Sequence, residues 1–355
     1  MAIAPFDHSF LSGLLGDEEV RRQLSAEADI AAMVAFETAL AQAEVAAGVI
    51  PTEAGEAIGK ALAGFRPDMA GLRGGTARDG VVVAELVRQM REHVGEPHAA
   101  HVHFGATSQD AVDTSLALRL VPVLDGFGAR LDALVAALDA LLARDGAVEV
   151  MAHTRMQAAI PVTAARKIRA WRDPLARHRT RLIAVRDDVA VLHFGGAAGA
   201  LDKLGDKGGV VAARMAERLE LAVVAEARHS ERDGQAGLAS WLSLVTGSLG
   251  KMGMDVTLLA QSEVGEIRLA SGGGSSAMPH KHNPVAAEVL VTLARFNATL
   301  VSGMHQALVH ENERSGAAWT LEWMLLPQMV AATGAALRTA AELVAGLSFV
   351  AAKRG

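Results

Sequence analysis

The stretch from Gly272 to Glu288 reads GGGSSAMPHKHNPVAAE and gathers the residues best suited to chemistry. Three glycines and two serines open it. Glycine enters positive φ freely and serine competes for backbone hydrogen bonds, so the segment has little conformational preference of its own. Pro279, His280, Lys281, His282 and Asn283 follow, and Pro284 suits the first turn of a helix that continues with an apolar period. The pattern predicts a loop feeding a helix N-terminus. Backbone N–H groups, the positive end of a helix dipole, a lysine and an asparagine would converge there on an anion. A flexible linker is the plain alternative, but linkers rarely wedge a lysine and an asparagine between prolines. The glycines follow no predicted strand and lack the GxxxxGK[ST] spacing, which excludes a phosphate loop.

Two further polar knots stand out. In His103-Phe104-Gly105-Ala106-Thr107-Ser108-Gln109-Asp110, Gly105 permits a turn, Thr107 and Ser108 offer hydroxyls, and Gln109 offers an amide. Asp113 and Thr114 are able to start the next helix, so a capping loop explains the spacing equally well. The other knot is Thr154-Arg155-Met156-Gln157, followed by Pro161-Val162-Thr163. His98, His101 and His103 fit no standard zinc spacing and no Cys or nearby carboxylate completes a shell. His280 and His282 flank Lys281, whose charge opposes a metal cation. His178 sits on an apolar stripe, as a packed and hydrogen-bonded ring or a contact between subunits.

Gly274-Ser275-Ser276, Met278-Pro279, Lys281 and Asn283 resemble the GSSxMPxKxN signature of the fumarase/aspartase superfamily. The resemblance implies that Ser275 is the catalytic acid or base on a closing loop, with Lys281 beside it in the chemistry. It implies that Lys281 and Asn283 hold substrate carboxylates, that Ser276 and Met278 touch substrate, and that Glu288 supports them. The His103–Asp110 knot is similar to the superfamily's HxGxTSxD, and nearly identical to the HxGATSQD of its cycloisomerase branch. His103, Thr107, Ser108 and Gln109 then become ligand contacts. Residues 154–161 resemble T-H-x-Q-x-A-x-P, but Arg155 replaces the histidine and His153 lies two places earlier. A guanidinium does not give up its proton in proteins. Arg155 is left to bind negative charge, with Gln157 beside it. The cycloisomerase branch also abandons that histidine.

His229–Asp233 resembles the branch's H-x-x-R-D, which makes Arg232 a ligand contact. Gln261–Glu266 resembles Q-x-E-V-G-E. Glu311–Arg314 with Trp319, Glu322 and Trp323 resembles E-H-E-R…W…EW, with Asn312 where a histidine is usual. The resemblance runs from about residue 100 to 325. It implies a di- or tricarboxylate substrate, an aci-carboxylate intermediate, and no metal or organic cofactor. It implies closure of 3-carboxymuconate to a lactone, in the β-ketoadipate route of aromatic breakdown. A sulfomuconate cycloisomerase, a C–N lyase of the adenylosuccinate or argininosuccinate type, and a non-catalytic helical scaffold are the rivals. A scaffold has no need of Lys281.

These groups must be positioned by helices. The chain has 355 residues, 51% hydrophobic and only 4% aromatic, an alanine-rich balance that favours close helix packing over sheet. Leu116, Leu120, Leu124, Phe127, Leu131, Leu134, Leu138 and Leu141 fall four and three apart, as do Ile168 to Leu192 and Leu238 to Leu259. Val289 to His310 is a weaker case. That spacing predicts long, nearly parallel or antiparallel helices of 25 to 30 residues, roughly 40 Å each. Such helices cannot all be buried in one monomer, so a bundle packing against copies of itself is expected, and the resemblance implies a homotetramer with shared sites. Pro122 and Pro174 are expected to kink their helices. Strand-like alternation is limited to Val210–Val211 and Leu221–Val224.

The expected fold is therefore all-α: an N-terminal helical domain over 1–105, a long-helix bundle over 106–325, and a short C-terminal remnant over 326–355. The superfamily's third domain is largely missing from this length. Net charge is −6 with no basic block, which argues against nucleic acid. No run of about 18 uninterrupted apolar residues predicts a membrane span. No basic leader precedes Asp7, and the absence of cysteine excludes disulfides and is compatible with the cytoplasm.

Overall fold

The computed structural model describes residues 4–270, 272–274, 278 and 282–351. Helices dominate. Short α1 (Ser12–Leu15) and α2 (Glu18–Gln23) lead into α3 (Ala26–Ala46), α4 (Thr52–Leu62), α5 (Met69–Asp79) and α6 (Val83–Val94). Ser25 caps α3 by accepting from the Ala28 N–H, and Glu27 and Asp29 in its first turn suit the dipole. The bundle follows: α7 (Ser108–Asp145), α8 (Ala164–Val189), α9 (Gly208–Leu219), α10 (Asp233–Leu259), α11 (Val285–Gln306) and α12 (Ala317–Ala345).

Two apolar clusters hold these elements. The larger joins Phe127 and Leu131 of α7, Trp171 of α8, Leu249 of α10, Leu290 of α11 and Met329 of α12. The smaller joins Phe36 and Leu40 of α3 and Met90 of α6 to Val211 and Met215 of α9, with Leu192, Phe194 and Leu204 of the glycine-rich connection. The four-and-three spacing of α7, α8 and α10 therefore faces inward as expected, and His178 packs there with its Nε2 2.8 Å from Ser248 Oγ. At 38 residues α7 exceeds the expected length, about 57 Å of helix. It and α8 continue through Pro122 and Pro174 without interruption.

Small residues bring α10 and α11 together. A Cβ on Gly250 would lie 2.4 Å from the Ala294 Cβ, and one on Gly253 2.5 Å from the Ala287 carbonyl oxygen. Val285–Gln306 is long and apolar enough, by length and composition, to cross a membrane, with a mean hydropathy of 1.4. It packs on α10 and α12 instead, yet only 28% of that apolar window is buried.

Two strand readings need correcting. Val210 and Val211 lie in α9, and residues 221–224 contribute only a parallel bridge of Ala222 with Val191. The clearest sheet lies elsewhere: β1 (Glu149–Thr154) pairs antiparallel with β2 (Gln157–Thr163), a bulge separating Met151 from His153. Arg155 and Met156 turn the hairpin at φ 48° and 67°. Hairpins that need two positive φ values ordinarily show Asn or Gly there. Without them no turn signal is legible at these positions. A second pair, β3 (Ile267–Leu269) with β4 (Leu347–Phe349), ties the end of the chain to the segment after α10.

Candidate active site

The site is organised by the N-terminus of α7. Helix α7 begins at Ser108, not at Asp113 or Thr114, because Asp110 reaches back to accept the Thr107 N–H at 2.9 Å. The buried Asp110 carboxylate also accepts the Gly195 and Gly196 N–H groups at 2.9 and 3.0 Å, and lies 2.7 Å from His229 Nε2. One side chain thus ties together the helix start, the glycine-rich connection and the approach to α10.

Asp113 lies below it, equally buried. Its carboxylate accepts from Gln109 Nε2 at 3.0 Å, Arg232 Nη1 at 2.7 Å and the Trp319 indole at 3.1 Å. Burial would raise its carboxyl, but Arg232, His193 and Gln109 together hold it below the usual range. The other edge of Arg232 is taken by Glu322, at 2.9 and 2.5 Å. Burial works against that guanidinium, yet its two carboxylates raise it further. His193 is pushed down to about 4 by burial, against the pull of Asp113. His310, its side chain buried 3.5 Å from Glu322, is also lowered by burial.

Gln109 carries this rigidity to the surface. Its amide nitrogen is used by Asp113 and by the His229 carbonyl, while its Oε1 accepts the Arg314 Nε–H at 2.8 Å. Arg314 is half-buried, donates to the Ala197 carbonyl at 3.3 Å, and has no carboxylate in ion-pair range among the described residues. It lines a cleft of about 890 Å³ with Thr107, Ser108, Gln109, Trp319 and Trp323, the two indoles edge-to-face at 4.6 Å. A fixed guanidinium without an ion-pair partner at the head of a helix suits a carboxylate. Arg314 was visible in the sequence only as part of a motif, with no role of its own.

The remaining sequence candidates fall elsewhere. His103 precedes α7, with Nδ1 2.5 Å from Glu37 Oε1 on α3. Arg232 belongs to the buried wall, where carboxylates occupy its donors, so within this chain it braces the site and does not line it. Arg155 and Gln157 are exposed at the hairpin tip, and among the described residues no hydrogen bond or ion pair joins them to the cleft. Gly273 and Asn283 pair through backbone bonds of 2.9 Å each way, which pins together the two ends of the intervening stretch. Met278 is 42% exposed, and Glu288 is exposed in the first turn of α11. Ser275, Ser276 and Lys281 lie outside the described residues. Within one chain the described candidates therefore fall in separate places: the α7 cleft, the hairpin tip and the positions flanking the start of α11.

A family model described as Lyase matches residues 11–303. The chain is 37% identical to a 3-carboxy-cis,cis-muconate cycloisomerase from Bradyrhizobium diazoefficiens, over 97% of this chain and 77% of that protein. It is 40% identical to a protein of the same name from Pseudomonas putida, over 90% of this chain and 78% of the other. A crystal structure of the 3-carboxy-cis,cis-muconate lactonizing enzyme from Pseudomonas putida superposes with a TM-score of 0.90 at 37% identity, covering 96% of this chain and 77% of that one. Helical architecture, ordered motifs and likeness over most of the chain agree: the chain belongs to this lyase family, the fumarase/aspartase superfamily.

Proposed function

We propose that the chain is a cycloisomerase that closes 3-carboxy-cis,cis-muconate to a carboxymuconolactone in the protocatechuate branch of the β-ketoadipate pathway. The observation that carries the chemistry is the Arg314 guanidinium, fixed by Gln109 beside the N-terminus of α7 and lacking a carboxylate partner among the described residues. Such a cleft suits a substrate with several carboxylates, and the likeness to cycloisomerases over nearly the whole chain narrows the choice.

In the reaction, one substrate carboxylate oxygen bonds to the carbon β to a second carboxylate. The π electrons shift toward that second group as an aci-carboxylate, and the Ser275 hydroxyl delivers a proton to the α carbon. One carboxylate charge is consumed in the ester, so one proton is taken up from solvent per turnover. Preorganised donors at the aci-carboxylate are the main source of rate. Lys281, Asn283 and the loop N–H groups supply them. A free serine is a poor acid–base group, so loop N–H dipoles and Lys281 activate Ser275 as the loop closes.

The active form is a homotetramer in the cytoplasm. What supports assembly is the apolar face of α11 that the monomer leaves uncovered, with Ile183, Leu244 and Met324 exposed on neighbouring helices. In such an assembly Arg155 and Gln157 of one protomer would complete the α7 cleft of another. No organic cofactor or metal enters these steps.

The test is to mix the purified protein with 3-carboxymuconate and follow loss of the diene absorbance. Turnover with uptake of one proton supports the reading. Fumarate release from a succinyl-amine, with no change in the diene, replaces it with a C–N lyase. Ser275→Ala should lower turnover by several powers of ten with the fold intact.

A further inference from the structure

We propose that Glu37 is a positioning residue, holding the His103 ring, on the segment that leads into α7, so that its Nε2–H is offered to a substrate carboxylate. This deepens the reading of the site as a polycarboxylate pocket and rests on it.

His103 Nδ1 lies 2.5 Å from Glu37 Oε1, with side chains 12% and 2% exposed. Nδ1 is thereby committed to a buried carboxylate. With Nδ1 taken, Nε2 is the ring nitrogen left for a ligand. His103 adopts φ 61°, which costs a residue with a Cβ about 1 kcal/mol or more. The tight contact with α3 offsets that strain and sets the ring four residues before Thr107.

The charges around the ring agree. Burial alone would strip its proton, but the charge and hydrogen bond of Glu37, with Asp110 on α7 beyond it, outweigh burial and lift His103 above its ordinary value; Arg91 on α6 opposes weakly. Two turns along α3, the fully buried Glu44 carboxyl is pushed up to about 9, first by burial and then by Glu37. Glu44 therefore stays neutral near pH 7.

The assignment predicts a defined split. Glu37→Gln keeps size and an acceptor oxygen but removes the charge. It should raise KM for the tricarboxylate about tenfold, change kcat by less than about threefold, and move the alkaline limb of kcat/KM to lower pH. Glu37→Asp should recover part of the loss. In a His103→Gln background Glu37→Gln should add nothing further.

A ¹⁵N–¹H titration of His103 reads the same pair without turnover. The wild-type ring should titrate above the free-imidazole value and fall to or below it in Glu37→Gln. A wild-type ring titrating at or below that value, or unmoved by Glu37→Gln, overturns the assignment. Absence of any muconate turnover by wild type would overturn only the reaction proposed above, since the titration is decided independently.

Discussion

Asp113 and Arg232 meet at 2.7 Å with both side chains 1% exposed, although 119 residues separate them in the chain. Glu322, from α12, closes the other edge of the guanidinium. A buried cation between two buried carboxylates leaves one net negative charge, and each member depends on the others for compensation. Breaking such a set by removing one member costs about 3–5 kcal/mol, because the others stay buried and uncompensated. Arg232→Met should therefore lower unfolding free energy by that order in a urea titration. A variant of wild-type stability would show that water reaches the triad. In acid, the Asp113 carboxyl is held below its usual range, so the stability it contributes is present above the unfolded value near 4 and lost as pH falls through the folded one.

Glu44 has the opposite sign. Burial and then Glu37 push its carboxyl up to about 9, and among the described residues neither oxygen has a hydrogen-bond partner. The folded state thus binds a proton that the unfolded state releases near pH 4.5. Its contribution is intact below that value and lost as pH rises through 9. Between those limits the stability difference between wild type and Glu44→Gln should change by about 1 kcal/mol per pH unit, in favour of the variant as pH rises. Chemical denaturation at pH 5, 7 and 9 checks it; a flat difference would mean that Glu44 ionises normally in the fold.

How the chain declares itself follows from which signals are local. The heptad leucines of α7, α8 and α10 were legible because a helix that buries one face must repeat every three or four residues, and those residues do line the core. The polar knot at Thr107–Asp110 was legible as a cap, but its start was misplaced by five residues. Asp113 has the composition of a cap and is spent on Arg232 instead. The 149–163 hairpin was not legible, because Arg155 and Met156 take positive φ without glycine. Glu37 was invisible for a different reason: a glutamate in an Ala-rich helix reads as solvated surface, and only the fold brings His103 to it. Arg232 was picked out by a motif as a ligand contact, yet its partners, 119 residues before and 90 after it, decided its environment.

The α10–α11 contact offers a packing test with its own control. A methyl at Gly253 would lie 2.5 Å from the Ala287 carbonyl oxygen and 2.9 Å from the Leu290 Cβ, backbone and near-backbone atoms that do not yield. Gly253→Ala should cost about 1–3 kcal/mol by overpacking. Gly247, one and a half turns earlier, meets nothing within 4 Å. Gly247→Ala should stabilise the isolated helix face by about 0.5–1 kcal/mol. Thermal unfolding of the two variants compares them directly. If Gly247→Ala also loses stability and shifts the species to lower mass, a second copy covers that face.

Arg314 is the sharpest test of the cleft itself. Its Nε–H is held by Gln109 Oε1 at 2.8 Å, Gln109 is held by Asp113, and Asp113 by Arg232. The guanidinium is therefore fixed before substrate arrives, so little side-chain entropy is lost on binding. Lysine would keep the charge but give up the Gln109 bond and the planar fork that matches a carboxylate. Arg314→Lys should raise KM about tenfold with kcat nearly unchanged, while Arg314→Met should depress kcat/KM by about a hundredfold or more. Gln109→Leu should reproduce the lysine phenotype, because it frees the arginine without discharging it. Steady-state kinetics on the three variants decides the point. Full kcat/KM in Arg314→Met would remove the cleft at the head of α7 from substrate binding and leave the site to the segment before α11.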